Sequence, residues 1–466
     1  MSTSTTITTQ FIRQLIEDLR TSINTGSYIG LGKSESWGTV GDTPTAASST
    51  IRYSRETRGG LQHVKVLTGV NPGVTRQNWV ANTIYPAYDD DVQSGIPYVM
   101  NDDYEVFLVI QQAVDANGDP VDSDVRPSKP TLTTPSPVAG ENDFTTADTG
   151  AVTGYQWRYL FTLSQVDINR FLTNTLMPVD TFATDPEDGG VETEQFEIQT
   201  NCSVSGQILN IVVEDGGAGY SSPTATILGN GTGATATVNA VGGVIKSIRV
   251  TNAGQNYDFA SIAIDDSVVP TSVADIRPVI GPPEGVEADP IEILGARKVI
   301  ATTDFEDDEL DTLFTENDFR QIVLLKDPKQ YDGVTPFTGN TGKANRALRV
   351  VGSPVLLEDE IFTGQTSQAK GILDHVVADP DNPGDSLVYY HQTSATGFGT
   401  FLRGEICDQV GGGNFTCTGT ASTTVAANQK DPDLDVYTGS LLYINNIEPV
   451  ERDPNQTEDI KIVITY

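Results

Sequence analysis

Positive charge is scarce in this chain: Lys and Arg number 28 against 63 Asp and Glu, a formal net charge of −35 over 466 residues. Affinity for nucleic acid comes largely from basic side chains that displace counterions from phosphate, and anionic lipid surfaces attract the same side chains. A chain this acidic is expected to bind neither nucleic acid nor membrane directly. Cysteine is rarer still. Cys202, Cys407 and Cys417 are too few and too scattered for a secreted disulfide framework, which points to synthesis in a reducing cytosol. Cys407 and Cys417 lie close enough in sequence to pair, but separate buried or half-buried thiols are the expectation. No apolar run approaches the roughly 20 residues that cross a bilayer as a helix. Met1 to Gln10 carries neither a basic residue nor an apolar stretch, so no secretory signal is expected.

The residues that usually carry catalysis are equally sparse or badly spaced. Histidine is limited to His63, His375 and His391. His375 and His391 could approach one another, yet no Cys or Glu stands at ligand spacing beside them. No Ser or Cys has a nucleophile signature around it. Thr338-Gly-Asn-Thr-Gly-Lys-Ala344 has the glycines of a phosphate-binding loop, but Phe337 occupies the leading glycine position and Ala344 replaces the magnesium-binding hydroxyl. In Asp115-Ala-Asn-Gly-Asp-Pro-Val-Asp-Ser-Asp124 the glycine is fourth rather than sixth, and no bidentate Glu follows, so a solvated turn is expected instead of a calcium loop. The acidic runs at 89–91 and 379–385 read the same way. Among 63 carboxylates chance pairs are inevitable, so acid pairs alone do not mark a glycosidase. The expectation is no catalytic residue, no cofactor, no metal ligand and no enzyme activity.

What is abundant is turn chemistry and short β-compatible runs. With 44 Gly and 25 Pro, the chain has material for many tight connections. Val64 to Thr68, Tyr104 to Ile110, Tyr155 to Leu163, Phe319 to Leu325 and Ile460 to Tyr466 are rich in β-branched and aromatic residues and bounded by Gly, Pro, Asn or Asp. The last alternates Ile460, Ile462, Ile464 and Tyr466 against Lys461, Val463 and Thr465. One convincing helix opens the chain, with Phe11, Ile12, Leu15, Ile16 and Leu19 at helical spacing and Thr8 or Thr9 as cap. Short helices are also expected around Ser164 to Leu172 and Asp304 to Phe314. The fold class is mainly β.

An internal repeat spans about 205–266. Ile208, Ile211, Val213, Gly217 and Tyr220 recur as Ile245, Ile248, Val250, Gly254 and Tyr257, a constant offset of 37. Each copy reads as strand, glycine turn, aromatic plug and second strand, and two copies are needed to bury the apolar faces. A second β-rich segment, around 353–430, holds Phe362 to Leu373, an Asp/Pro/Gly loop and Leu387 to His391. Trp37, Trp79 and Trp157, with Tyr85, Tyr155, Tyr159 and Phe161, are expected as core plugs or interface anchors, with sugar stacking as the weaker reading.

Five blocks, taken in order, resemble a known family. They are Gly32-Lys-Ser-Glu-Ser-Trp37; Val64-Lys-Val-Leu67 with Arg76-Gln-Asn-Trp79; Tyr155-Gln-Trp-Arg-Tyr-Leu-Phe161; Phe319-Arg-Gln-Ile through Pro328; and Gly439 through Thr465. Together they resemble the dimeric baseplate-wedge subunit of T-even-type contractile-tailed phages. The resemblance implies a β-sandwich core with a few short helices, enlarged here by two inserted small β domains. Its divisions are 1–200 as core with the N-terminal helix, 201–275 as the Gly/Tyr-repeat insertion, 276–352 as core, 353–430 as the second insertion and 431–466 as C-terminal core strands. It implies a homodimer in the virion that contacts other baseplate-wedge proteins and tail-fibre proteins. That role is structural: the subunit holds the wedge and reorients before sheath contraction and genome delivery. The insertions have no counterpart in the T-even version. The alternative class is a receptor-binding or polysaccharide-degrading tail fibre or spike protein, which the Gly-Tyr repeat and acid richness favour. A bacterial surface adhesin is weakened by the lack of a secretion signal.

Overall fold

The computed structural model describes residues 7–91, 93–133, 137–138, 143–145, 154–306, 309, 313–314, 318–452 and 455–466. The chain is mainly β, built from several antiparallel sheets with five α-helices among the described residues. Two compact units interleave along the sequence. One takes Met1–Asp18, Asn71–Ile300 and Val463–Tyr466; the other takes Leu19–Val70 and Ala301–Ile462.

In the first unit, a four-stranded sheet runs in the order Tyr98–Met100, Glu105–Gln111, Gln156–Thr162, Asp143–Thr145. The Gln156–Thr162 strand is the block that begins at Tyr155, and its side chains explain the block's composition. Trp157, Tyr159 and Phe161 are buried, and Tyr155 stacks on Trp157 with ring centroids 5.3 Å apart. The Tyr155 hydroxyl accepts from the Tyr85 amide (3.1 Å) and donates to the Val121 carbonyl (2.9 Å). These aromatics are core plugs with their polar tips satisfied, as buried Tyr and Trp require.

The repeat region of the same unit is more interwoven than its sequence implies. Ile208–Asp215 pairs with Asp275–Ile280, and Val244–Asn252 pairs with Thr235–Val241, so each copy's first strand hydrogen-bonds to the other copy's last. Thr224–Gly229 and Ala260–Asp265 pair with each other, and Thr226 faces Ala263, its own equivalent, at the centre of an approximate two-fold. The tyrosines are exchanged too. The Tyr220 hydroxyl accepts from the Ala274 amide (2.9 Å), and the Tyr257 hydroxyl accepts from the Ala234 amide (3.4 Å). Ala274 lies 40 residues beyond Ala234, so the offset grows from 37 to 40 before the third strand. Gly217 and Gly254 both have φ near +60°, and a Cβ on Gly254 would sit 2.5 Å from the Ala234 nitrogen. Only glycine suits that crossing.

The second unit contains a five-stranded sheet in the order Thr341–Lys343, Leu61–Val66, Ser27–Gly32, Asp318–Lys326, Ser440–Glu451. Its core is Tyr28, Leu61, Val64, Val323, Leu325 and Phe337. The glycines of the 338–344 segment, which superficially suggest a phosphate loop, lie against the Phe337 ring, and the segment forms an edge strand. A seven-stranded sheet runs Asn414–Thr416, Ile406–Gln409, Ile361–Gly364, Lys370–Ala378, Ser386–His391, Arg346–Val350, Gln429–Lys430. Phe362, Tyr390, Phe401 and Phe415 make its aromatic core.

The helices are only partly as expected. Thr9–Ile23 is a helix with Ile16 and Ile23 fully buried, although Phe11 is 53% exposed. Gln165–Arg170 is a short helix whose first turn is capped by the Ser164 hydroxyl. Ile51–Gly59 and Val191–Asn201 are helices that the apolar spacing does not announce, because polar side chains cover most of both. The helix expected over 304–314 falls partly outside the described residues, and Asp304 and Phe305 belong to the strand Lys298–Phe305. No helix among the described residues is long and apolar enough to cross a membrane.

Two of the acidic runs also differ from solvated turns. Arg277 binds Asp89 (2.7 Å) and Asp90 (3.0 Å), and Arg349 binds Asp381 (2.7 Å) and the buried Asp379. The third is a true turn: the Asp115 carboxylate accepts the amides of Asn117 (2.8 Å) and Asp119 (3.0 Å).

Candidate functional site: a buried histidine–carboxylate cluster

The Gly32–Trp37 block leaves the centre of the five-stranded sheet and immediately enters a polar cluster. Gly32 makes this exit possible. A Cβ there would lie 2.5 Å from the Gly60 carbonyl oxygen and 2.9 Å from the Leu61 Cα, both backbone atoms that cannot swing aside. Gly32→Ala is expected to cost about 1–3 kcal/mol through overpacking, read as a lower denaturation midpoint of this unit. Lys33 follows in the left-handed region (φ 59°), its amide bonded to the Gly60 carbonyl at 2.9 Å.

The side chains of the block then find partners within it and, for Ser34, Glu35 and Trp37, far away in sequence. The Lys33 ammonium is 2.8 Å from Glu35 Oε1 and 4.8 Å from the centre of the Trp37 ring. The Ser34 hydroxyl donates to Asp374 Oδ1 at 3.3 Å, while its carbonyl accepts from Arg320. The Ser36 hydroxyl and the Trp37 amide both donate to Asp42 Oδ1 at 2.6 Å, and Arg320 Nε reaches Asp42 Oδ2 at 2.7 Å. The Ser36 bond first, then Arg320, holds the Asp42 carboxyl down at about 2. Trp37 Nε1 donates to the Ile447 carbonyl at 3.1 Å.

At the centre stands Asp374, fully buried on the strand Lys370–Ala378. The register shifts between Leu373 and His375, so Asp374 sits in a β-bulge, a device that re-aims a side chain. His391 Nδ1 lies 2.7 Å from Asp374 Oδ1, and Asn345 Nδ2 donates to Asp374 Oδ2 at 2.9 Å. His391 Nε2 is 3.2 Å from Glu35 Oε2, close for charge but misaligned for a hydrogen bond. Burial opposes a charge on His391, yet Asp374 and then Glu35 raise it to about 10. Burial alone would raise Glu35, but His391 and Lys33 bring it down to about 2. At neutral pH the cluster is therefore an imidazolium between two carboxylates.

This arrangement shares one contact with a nucleophile-activating triad, the carboxylate on Nδ1, and lacks the rest. A base must offer a lone pair, and an imidazolium raised this far has none near neutrality. The Ser34 hydroxyl faces Asp374 instead of the imidazole. The chemistry available is that of a charged clamp.

A third carboxylate nearby is held at a cost. Burial is the main cause that lifts Asp359 to about 6, and its φ is 62°. A raised carboxyl destabilises the fold when ionised, so the cost appears as pH rises from 3.8 through about 6. Asn tolerates the same backbone region. Asp359→Asn is expected to stabilise this unit at pH 7 by about 1–2 kcal/mol after allowance for solvent screening, with no gain at about pH 3.5. Thermal melts at the two pH values check this.

The remaining candidates are dispersed. His375 Nδ1 meets Glu358 at 2.5 Å, and His63 is buried edge-on to Phe305. His375 and His391 occupy neighbouring strands but face different carboxylates. All three cysteines are free and buried. Cys407 and Cys417 are neighbours, and the hydrogen bond from Cys417, with burial, pushes the Cys407 thiol up. Among the described residues no three His, Cys, Asp or Glu side chains converge as metal ligands would. No protein-family model matches the chain, and the search of curated proteins finds no similar sequence.

Proposed function

We propose that this chain is a structural subunit of the baseplate wedge of a contractile phage tail. It acts as a homodimer that holds other wedge proteins and tail-fibre proteins and reorients during the trigger for sheath contraction. The observation that carries this reading is the placement of the family-like blocks. Leu61–Val66, Ser27–Gly32, Asp318–Lys326 and Ser440–Glu451 come from widely separated parts of the sequence, yet they are consecutive neighbours in one sheet. The Tyr155 to Phe161 block lies apart from these, in the four-stranded sheet of the other unit.

Two further features support an assembled role. The 12-residue strand Ser440–Glu451 ends the sheet order and exposes Leu442 at 46%. A long edge strand with apolar side chains invites pairing and is normally covered by a neighbour. The charge clamp at His391 fixes the Gly32–Trp37 block without offering a reactive group. Rigid clamped elements suit a subunit that moves as a body between two contact sets.

The test is assembly. Sedimentation of the purified chain should show a dimer, and mixing it with the other wedge proteins of its virus should give a defined larger particle. A monomer that joins no particle and turns over a glycan with saturable kinetics would overturn the reading in favour of the tail-spike class.

A further inference from the structure

Beside the cluster, on the far side of Asn345 and His391, the second unit carries a cleft of about 390 Å³. It is rimmed by Tyr331, Phe398 and Tyr437, whose exposures of 38%, 69% and 56% are high for aromatic residues. Arg346, also on the wall, lies over the Tyr331 ring at 5.6 Å. We propose that this cleft binds a neutral oligosaccharide.

Three exposed rings around one hollow form an apolar surface that water does not favour, and such surfaces mark binding sites. The chemistry between the rings narrows the ligand. Asn345 is buried, its amide nitrogen is committed to Asp374, and its Oδ1 has no hydrogen-bond partner. Asp435 and Arg346 bring opposite charges to the same wall. An apolar helix laid across these groups would strand them without hydrogen bonds, at a cost of about 1–3 kcal/mol each. A pyranose offers C–H faces for the rings and hydroxyls, both donor and acceptor, for the groups between them. On this wall Arg346 and Asp435 offset one another, and the charge of His391 is met by Asp374 and Glu35, which favours a neutral sugar over an anionic one. Phe398 and Tyr437 also line a second hollow of about 460 Å³, so the surface suits a chain of sugars more than one ring. Both volumes fall within the range of about 300–1,000 Å³ usual for ligand sites.

Titration calorimetry of the full chain with maltohexaose, cellohexaose and the hexamer of N-acetylglucosamine tests this. Saturable binding of at least one at millimolar or lower concentration is expected. Phe398→Ala combined with Tyr437→Ala should weaken it by about tenfold or more, with an unchanged melting temperature because both rings are exposed. Phe259→Ala removes a ring of 65% exposure outside the cleft and should change nothing. Failure of all three sugars to bind, or binding indifferent to the double variant, would overturn the proposal. So would a double variant that changes only the oligomeric state, which would assign the rings to a subunit contact. None of these results bears on whether the chain joins a baseplate.

Discussion

Replacing Arg158 with Met should lower the stability of the first unit by about 3–5 kcal/mol. Arg158 and Glu287 are 1% and 0% exposed, and their charged groups are 2.7 Å apart, with Gln207 adding a contact at 3.1 Å. Methionine matches the aliphatic length of arginine but leaves the Glu287 carboxylate buried without its cation. The large cost comes from that stranded charge more than from the lost attraction. Glu287→Met added to Arg158→Met should therefore recover most of the loss, because an apolar pair needs no counter-charge. Thermal melts decide it: at about 2–4 °C per kcal/mol for a unit of this size, the single variant should fall by roughly 10 °C. A double variant no more stable than the single one would show that the site requires the ion pair itself.

His391→Leu is expected to be nearly as damaging to the second unit, by about 3–5 kcal/mol, and its effect should depend on pH. The side chains of His391 and Asp374 are 2% and 0% exposed, so removing the imidazolium takes the cation away from Asp374, which keeps its hydrogen bonds from Asn345 and Ser34, and from Glu35. The folded-state value of His391, about 10, lies above the ordinary 6.5. Its stabilisation is therefore fully present below 6.5 and fades as pH rises through about 10. Glu35 behaves oppositely: its value of about 2 lies below 4.5, so its share is present above 4.5 and lost as pH falls toward 2. The gap between wild type and variant should be widest between pH 4.5 and 6.5 and should narrow toward pH 10. A gap that stays constant from about pH 6 to pH 10 would mean that His391 contributes shape and not charge.

How much of this could be seen in the sequence depends on how far apart the partners lie. Tyr155 to Phe161 reads as a strand because its aromatic content and turn neighbours say so, and it is one. The pairing of Ile208 with Ile245 and of Tyr220 with Tyr257 is legible as a repeat. The exchange of third strands is not, because the lengthened connection before Asp275 breaks the offset there. Val191–Asn201 escapes notice for another reason: it buries Gln195 and Gln199 beside Ile198, so no apolar stripe marks its inner face. The clamp was hidden most completely. Glu35, Asn345, Asp374 and His391 come from four separate segments that meet beside the bulge at Asp374. Nothing in the runs Asp89 to Asp91 or Asp379 to Asp385 reveals that Arg277 and Arg349 claim them.

The exchanged strands of the Gly-Tyr region also constrain how the chain is made. A ribosome that has released residues up to 242 has produced Ile208–Asp215 but not Asp275–Ile280, the strand that must lie beside it. Tyr220 at that moment has no Ala274 to bond. The first half has to wait, open-edged, while roughly 40 further residues emerge. On a crowded polysome, the same half on a neighbouring nascent chain can supply an equivalent strand. Slow translation between 242 and 280 should therefore raise the yield of entangled chain pairs.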